Sequence, residues 1–287
     1  MPNDAPGMLR PSQPAERARV SFSTGTFYHR SPRYSFDLAH DLGFDGVELV
    51  VGPNLVRDGG DATLADSQAT GVPVLSVHPP FFPIPGWSRA PADAIPRLVA
   101  GAESLGAELC VVHTPAIAQA SSPRFYEFAA AVRAGAKSDV VNLTIESSQV
   151  NRNARRHVLD DLAEMMKFAV DAGCGVTLDT SHVGANGQDL LTCYEIVRPA
   201  LRNVHLSDIA WRGSRPRTHL QPGQGMLALR PFLAALARDQ YRGLITLEIH
   251  PRETGLWSRG RAVNVLRSAL AFVRSALDGA MPAHTNS

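Results

Sequence analysis

Residues 142–182 read NLTIESSQVNRNARRHVLDDLAEMMKFAVDAGCGVTLDTSH. NLTIESS, from Asn142, is a short β-rich run, and VLDDLAEMMKFAVDAGCG has the spacing of a helix with one apolar face that stops at glycine. GVTLDTSH, from Gly175, is β-rich again. A strand, a helix and a strand at this spacing predict a βαβ unit whose two strands run parallel.

The same unit recurs in both directions. Upstream lie VSFSTGTF from Val20, GVELVV from Gly46, VLSVHPP from Val74 and ELCVVHTP from Glu108; downstream lie NVHLSD from Asn203 and LITLEIH from Leu244. Most have a near-continuous apolar body, the expectation for parallel strands covered on both faces. Helical patterns fill the gaps: SFDLAHDLGFDG stops at Gly43, and DAIPRLVAGAESLGAE sets Ile95, Leu98, Val99 and Ala102 on one face. LALRPFLAALARDQYRG and RAVNVLRSALAFVRSAL behave alike. Eight β-then-α units without a composition break predict an α/β protein, a single (β/α)8 TIM barrel over residues 19–277. Residues 1–18 read as a flexible N-terminal leader and 278–287 as a flexible tail. The competing open, doubly wound sheet calls for a glycine-rich phosphate turn after its first strand. That stretch reads STGTFYHRSP, without the G-x-G-x-x-G spacing.

Bulk properties narrow the partners. A net charge of +1 over 287 residues argues against a strong sequence-independent grip on nucleic acid, which needs a basic excess. No apolar run approaches the ~20 residues of a membrane span, and the opening MPNDAPGMLRPSQPAERAR lacks the apolar segment of a signal peptide. Cys110, Cys174 and Cys193 have no paired spacing, as expected of reduced thiols in a cytoplasmic protein. A homo-oligomer is left open.

The site of such a barrel lies at the C-terminal ends of its strands, and metal-capable side chains gather there. In strand order they are Glu48, His78, His113, Glu146, Asp179 with His182, His205 followed by Asp208, and Glu248 followed by His250; His219 lies in the long loop after strand seven. Glu48, in GFDGVEL, reads as a structural carboxylate set against a neighbouring loop. Singly, each of these could be a hydrogen-bonded loop residue or a helix cap. Together they place several partly buried charges on one rim, which is costly unless something positive sits among them. A divalent cation answers that, and mixed carboxylate and imidazole donors suit Mn, Zn, Co or Fe better than Ca or Mg.

At IESS, TLDTSH, NVHLSD, HLQPGQG and TLEI the chain resembles the xylose isomerase-like barrel superfamily, which contains sugar and sugar-phosphate isomerases and epimerases and the endonuclease IV type of AP endonuclease. The resemblance implies one divalent metal, Mn or Zn, on Glu146, Asp179, His205 and Glu248, with His182 as a contact of substrate or ligand. It implies Arg212 as a substrate contact. The endonucleases use a larger set, and His78, His113, His182 and His219 fall where they have ligands, which leaves room for a second ion. That family places an Asp two residues before the His of H-x-x-x-G-x-G; here the position is Arg217, whose guanidinium cannot ligate a metal and suits substrate binding instead.

The implied chemistry is isomerisation or epimerisation of a sugar, sugar phosphate or related hydroxy-carbonyl compound through a metal-stabilised enediolate, with Glu146 and Glu248 as catalytic acid and base. Phosphodiester hydrolysis in DNA is the alternative, with RGSRPR (Arg212–Arg217) as its basic cluster; a non-catalytic ligand-binding barrel is the second. The loop PPFFPIPGW (Pro79–Trp87) reads as an aromatic wall over the pocket, as a subunit contact or as packing on the rim.

Overall fold

The computed structural model describes residues 17–149, 157–213 and 215–279; nearly all of the expected leader and tail lie outside these. Seven strands appear in chain order as β1 (Arg19–Ser23), β2 (Gly46–Val50), β3 (Val74–His78), β4 (Leu109–His113), β5 (Asn142–Glu146), β6 (Gly175–Asp179) and β7 (Leu201–Leu206). A hairpin of β8 (Asp208–Arg212) and β9 (Arg215–Leu220) follows, and β10 (Leu244–Leu247) completes the set. The strands other than β8 and β9 close a parallel barrel in the order β1-β10-β7-β6-β5-β4-β3-β2, with β2 returning to β1. This is the predicted (β/α)8 architecture. The hairpin stands outside the barrel, where the sequence reads only as a long loop.

The strands depart from expectation in one respect: they alternate. In β5, Leu143 and Ile145 face the helices, while Thr144 and Glu146 face the barrel axis; in β6 the inward pair is Thr177 and Asp179, and around β10 it is Thr246 and Glu248. The barrel interior is layered. Its middle is a hydroxyl and amide layer, with Thr144 Oγ1 2.7 Å from Thr177 Oγ1 and Ser21 Oγ 3.0 Å from Thr246 Oγ1. Thr246 in turn donates to Asn203 Oδ1 at 3.2 Å. Below this layer Leu75, Leu109, Val111 and Leu244 form a small apolar floor.

The larger core lies between barrel and helices. Helices α1 (Pro32–Leu42), α2 (Pro53–Asp58), α3 (Asp61–Thr70), α4 (Pro91–Ser104) and α5 (Pro123–Gly135) cover the first half of the sheet. Helices α6 (Leu162–Ala172), α7 (Thr180–Ala185), α8 (Leu190–Val197), α9 (Leu229–Arg238) and α10 (Arg259–Asp278) cover the rest. The four apolar positions expected on α4 are its four buried residues, and Phe232, Leu236, Leu266 and Val273 seal the other side. Each such burial contributes about 1.5–3 kcal/mol. Cys110, Cys174 and Cys193 are all free; burial raises the Cys110 thiol and pushes Cys174 up to about 12 and Cys193 to about 11, so none is poised as a nucleophile.

Asp208 is spent on the fold. Its Oδ1 accepts the N–H groups of Ile209 and Leu227 at 2.9 and 3.0 Å, and its Oδ2 accepts those of Gly223 and Gly225 at 3.0 Å each. One buried carboxylate thus gathers the HLQPGQG loop. Gly225 approaches so closely that a Cβ there would lie 2.2 Å from the Ile209 carbonyl oxygen and 2.3 Å from Asp208 Oδ1. Asp208→Ala orphans four backbone donors, one buried and three part-buried, and should destabilise the protein by about 2–4 kcal/mol, read as a drop in the urea midpoint. A midpoint unchanged within error would show that the loop holds itself.

Candidate metal centre

The strand ends bring the expected residues together. Ligand atoms of Glu146, Asp179, His205 and Glu248 all lie within 4.8 Å of one another. Parallel pairing sets this up, because β6 aligns Asp179 with His205, and β4 aligns His113 with Glu146. Three further trios meet the same 4.8 Å limit: His78, His113 and Glu146; His78, His205 and Glu248; and Asp179, His182 and His219.

The local motifs explain the aim of each group. In TLDTSH, Asp179 Oδ1 caps α7, accepting from Ser181 N and His182 N at 2.7 and 3.0 Å, which leaves Oδ2 turned into the ring. Thr180 Oγ1 donates to the Ser207 carbonyl at 2.6 Å, stitching this turn to the end of β7. In IESS, Ser147 Oγ accepts the Asp179 N–H at 3.0 Å, and the Ser147 carbonyl accepts from His182 Nδ1 at 2.8 Å. His78 Nδ1 donates to the Pro79 carbonyl at 2.7 Å, and His205 Nε2 donates to Glu48 Oε2 at 3.1 Å. In all three imidazoles one nitrogen is held by an oxygen that can only accept, so the other is turned inward, where losing its proton would free a lone pair for an ion. That is how metal-ligating histidines are oriented.

The carboxylates are short of partners. Glu146 Oε2, Asp179 Oδ2, Glu248 Oε2 and Glu48 Oε1 are buried without a hydrogen bond. Imidazole nitrogens stand 3.0 Å from Glu146 Oε2 and 3.2 Å from Glu248 Oε2, out of line for a hydrogen bond. Burial alone raises a carboxyl pKa, yet here the imidazoles outweigh it: His205 and His113 hold Glu146 well below the usual range, and His205 with His219 does the same for Glu248. Reciprocally, burial lowers His205, but Glu48, Glu146 and Glu248 raise it well above the ordinary value. Oxygen and imidazole donors, anionic in sum and aimed at one point, fit a divalent transition-metal ion.

Glu48 is the residue that the sequence misplaces. It is fully buried, accepts from Ser76 Oγ at 2.9 Å as well as from His205, and so stands behind the ring's His205 and not against a neighbouring loop. By fixing the Nε2–H tautomer it turns His205 Nδ1 toward Glu146 and Glu248, each 3.2 Å away. Glu48→Gln keeps an acceptor but loses the charge behind the imidazole. Manganese affinity, measured by titration calorimetry, should fall about 10- to 100-fold; an unchanged Kd would remove Glu48 from the site.

The two arginines stand apart from the ring. Arg212 is exposed at the hairpin tip, paired across it with Arg215, and Arg217, farther down β9, forms an ion pair with Glu253. His219 does reach the ring: its backbone adopts φ 54°, uncommon for a non-glycine residue, and Nδ1 lies 3.4 Å from the Ser181 and Ser207 hydroxyls.

Above the ring opens a cavity of about 470 Å³, bordered by His219, Glu248, His250, Arg252, Tyr28 and Phe81. Arg252 is a mouth residue for which the sequence carries no signal. Burial, with help from Arg252 and His219, keeps the His250 pKa low, and its Nδ1 accepts the Arg252 N–H at 3.2 Å. The larger cavity, about 750 Å³, is at the opposite end beside Glu108, Arg202 and Tyr241, the face that serves stability in this fold.

Residues 36–276 match the family model described as xylose isomerase-like TIM barrel. An uncharacterized protein of Mycobacterium leprae is 30% identical over 284 residues, covering 90% of this chain and 98% of the relative. Among solved structures, D-allulose 3-epimerase from Methylomonas sp. in complex with D-allulose superposes with a TM-score of 0.69 at 18% identity, over 91% of this chain and 98% of that one. The 3-keto-D-glucoside 4-epimerase of E. coli superposes with a TM-score of 0.66 at 18% identity, over 90% and 100%. At that identity the superpositions speak for the fold.

Proposed function

The chain belongs to the xylose isomerase-like TIM barrel family, and from that premise we propose that it is a metal-dependent isomerase or epimerase of a sugar or related α-hydroxy carbonyl compound. The observation that carries the reading is the convergence of Glu146, Asp179, His205 and Glu248, with three of their buried carboxylate oxygens unbonded. These four would hold the ion; manganese and zinc both suit the donor set. His78 and His113, sharing Glu146, or His182 and His219, sharing Asp179, would hold a second. When bound, a divalent ion polarises a substrate carbonyl and offsets the negative charge that develops on it.

The proton work falls to the protein. Glu146 and Glu248 enter the ring from β5 and from just beyond β10, and both are held ionised. One takes the proton from the carbon beside the carbonyl; the other, having first gained a proton from water at the open mouth, gives it to the same or the neighbouring carbon. At the end of such a turnover the first is protonated and the second ionised, and exchange with water through the open mouth resets them. His182 and His219 orient hydroxyls at the ring's edge, and Arg212 and Arg217 on the hairpin would meet the polar end of a longer substrate. Tyr28, Phe81 and Phe82 line one side of the mouth.

The epimerase fold neighbours support the reaction class, D-allulose being the ligand in one of them. Incubating the manganese-loaded protein with a panel of ketoses in D2O tests it: deuterium should appear on the carbon next to the carbonyl, and chelation should abolish the exchange. A metal-loaded protein that exchanges no proton yet cleaves an abasic duplex would transfer the reading to phosphodiester hydrolysis.

A further inference from the structure

Beside the metal ring lies a second cavity of about 400 Å³, where the chain leaves β2 for α2. It shares Gly25, Tyr28, Phe81 and Phe82 with the cavity over the ring, so the two spaces lie against the same aromatic pair. Phe81 packs between Gly25 and His78. A Cβ on Gly25 would lie 2.1 Å from Phe81 Cε2, so only glycine lets the ring lie on the backbone, and its other side reaches the His78 imidazole at 4.9 Å between centroids. Phe82 extends the partition toward Tyr28, 5.5 Å away.

The lining of this annex is apolar and uncharged in effect. Leu49, Val51 and Leu55 form its buried base, and Ile84 with Phe82 its outer edge. Two of its polar side chains are engaged elsewhere: Thr24 Oγ1 accepts the Val50 N–H at 2.9 Å, and Asn54 Oδ1 accepts from Arg57 at 2.7 Å. Among the described residues the sole charged lining group, Arg30, lies over the Trp257 ring at 4.5 Å and donates to the Trp257 carbonyl. No carboxylate and no lysine among them lines the space. It is therefore ill suited to sugar hydroxyls, which need partners, and to phosphate, which needs a free cation.

We infer that the annex is a substrate subsite, and that the natural substrate is an α-hydroxy carbonyl compound carrying an uncharged apolar substituent of about phenyl size. The inference rests on the proposed reaction centre. The polar end sits over Glu146, Asp179, His205 and Glu248, and the substituent crosses the Phe81 edge to lie on Leu49, Val51 and Leu55. Together the two cavities fall within the volume range of ligand sites that are mostly apolar with a few convergent polar groups.

Two hydroxamates separate the parts. Acetohydroxamate and 3-phenylpropanohydroxamate chelate through the same two oxygens and differ in the apolar arm. In calorimetric titrations of the manganese-loaded protein, the phenyl compound should bind about 10- to 100-fold tighter, as expected for burying a phenyl-sized group. Asn54→Trp, which places a ring in the annex, and Ile84→Asp, which charges its outer edge, should each erase that gain and leave acetohydroxamate unchanged. Equal affinity of the two compounds, or a gain that survives both substitutions, overturns the annex while the metal centre stands. Failure of both hydroxamates to bind removes the metal centre and the annex with it.

Discussion

Manganese added to the chelator-treated protein should raise Tm by roughly 8 °C at a thousandfold excess over Kd, because an ion that binds only the folded state contributes about 4 kcal/mol there. Asp179→Asn should remove most of that gain and leave the metal-free Tm nearly where it was. The split follows from the two oxygens of Asp179. Oδ1 caps α7 through Ser181 N and His182 N, and an asparagine oxygen can do the same. Oδ2 has no hydrogen bond and faces Glu146, His205 and Glu248; an amide nitrogen in its place brings a donor where a cation needs a lone pair. Asp179→Ala should lose both, lowering the metal-free protein by a further ~1 kcal/mol. If the Asp179→Asn variant retains the full metal-dependent rise, the ring is not the binding place.

The same experiment has a pH dependence of known sign. His205 is held above its ordinary value of 6.5, so in the metal-free protein its contribution to stability is complete below that value. It is lost as pH rises through the elevated folded pKa. Metal must displace that proton, so metal affinity rises over the same interval. The metal-free Tm therefore declines with rising pH above 6.5 while the metal-dependent increment grows. Parallel curves would show that His205 takes no part.

Glu146→Gln and Glu248→Gln should each slow carbon-bound proton exchange by about 10²- to 10⁴-fold, the usual worth of a positioned acid or base. The amide keeps the volume and one donor oxygen but cannot carry the proton. Metal content, read by elemental composition of the purified variants, separates loss of chemistry from loss of the ion. A variant that keeps manganese and loses exchange is acting at the proton; one that loses both is a ligand first. Full exchange rates in both variants would rule out the acid–base assignment.

How much of this is legible before folding depends on the residue. The alternation that builds the barrel is visible in NLTIE, GVTLD and LITLE, where every second side chain is apolar and the last is acidic. Read only as apolar runs these segments yield the right strands, but the polar interior layer of Thr144, Thr177 and Thr246 goes unnoticed. The cap in TLDTSH is local too, since Asp179 and His182 are three residues apart. Asp208 looks like one more ligand on the rim, and only the four loop N–H groups that it accepts show it to be structural.

The ring's metal-capable side chains and the strand ends that carry them follow from the chain alone, because strand period and turn chemistry act over a few residues. The partnerships inside the ring do not. Glu48 meets His205 across 157 residues of sequence, and nothing in GFDGVEL announces it; barrel closure and the register of β2 against β3 bring it there. The carboxylates' unbonded oxygens, the inward nitrogens of His78, His182 and His205, and the apolar annex behind Phe81 arise in the same way. Local propensity chooses the elements, whereas burial and hydrogen-bond satisfaction, which depend on every neighbour at once, choose which atoms remain free for a metal.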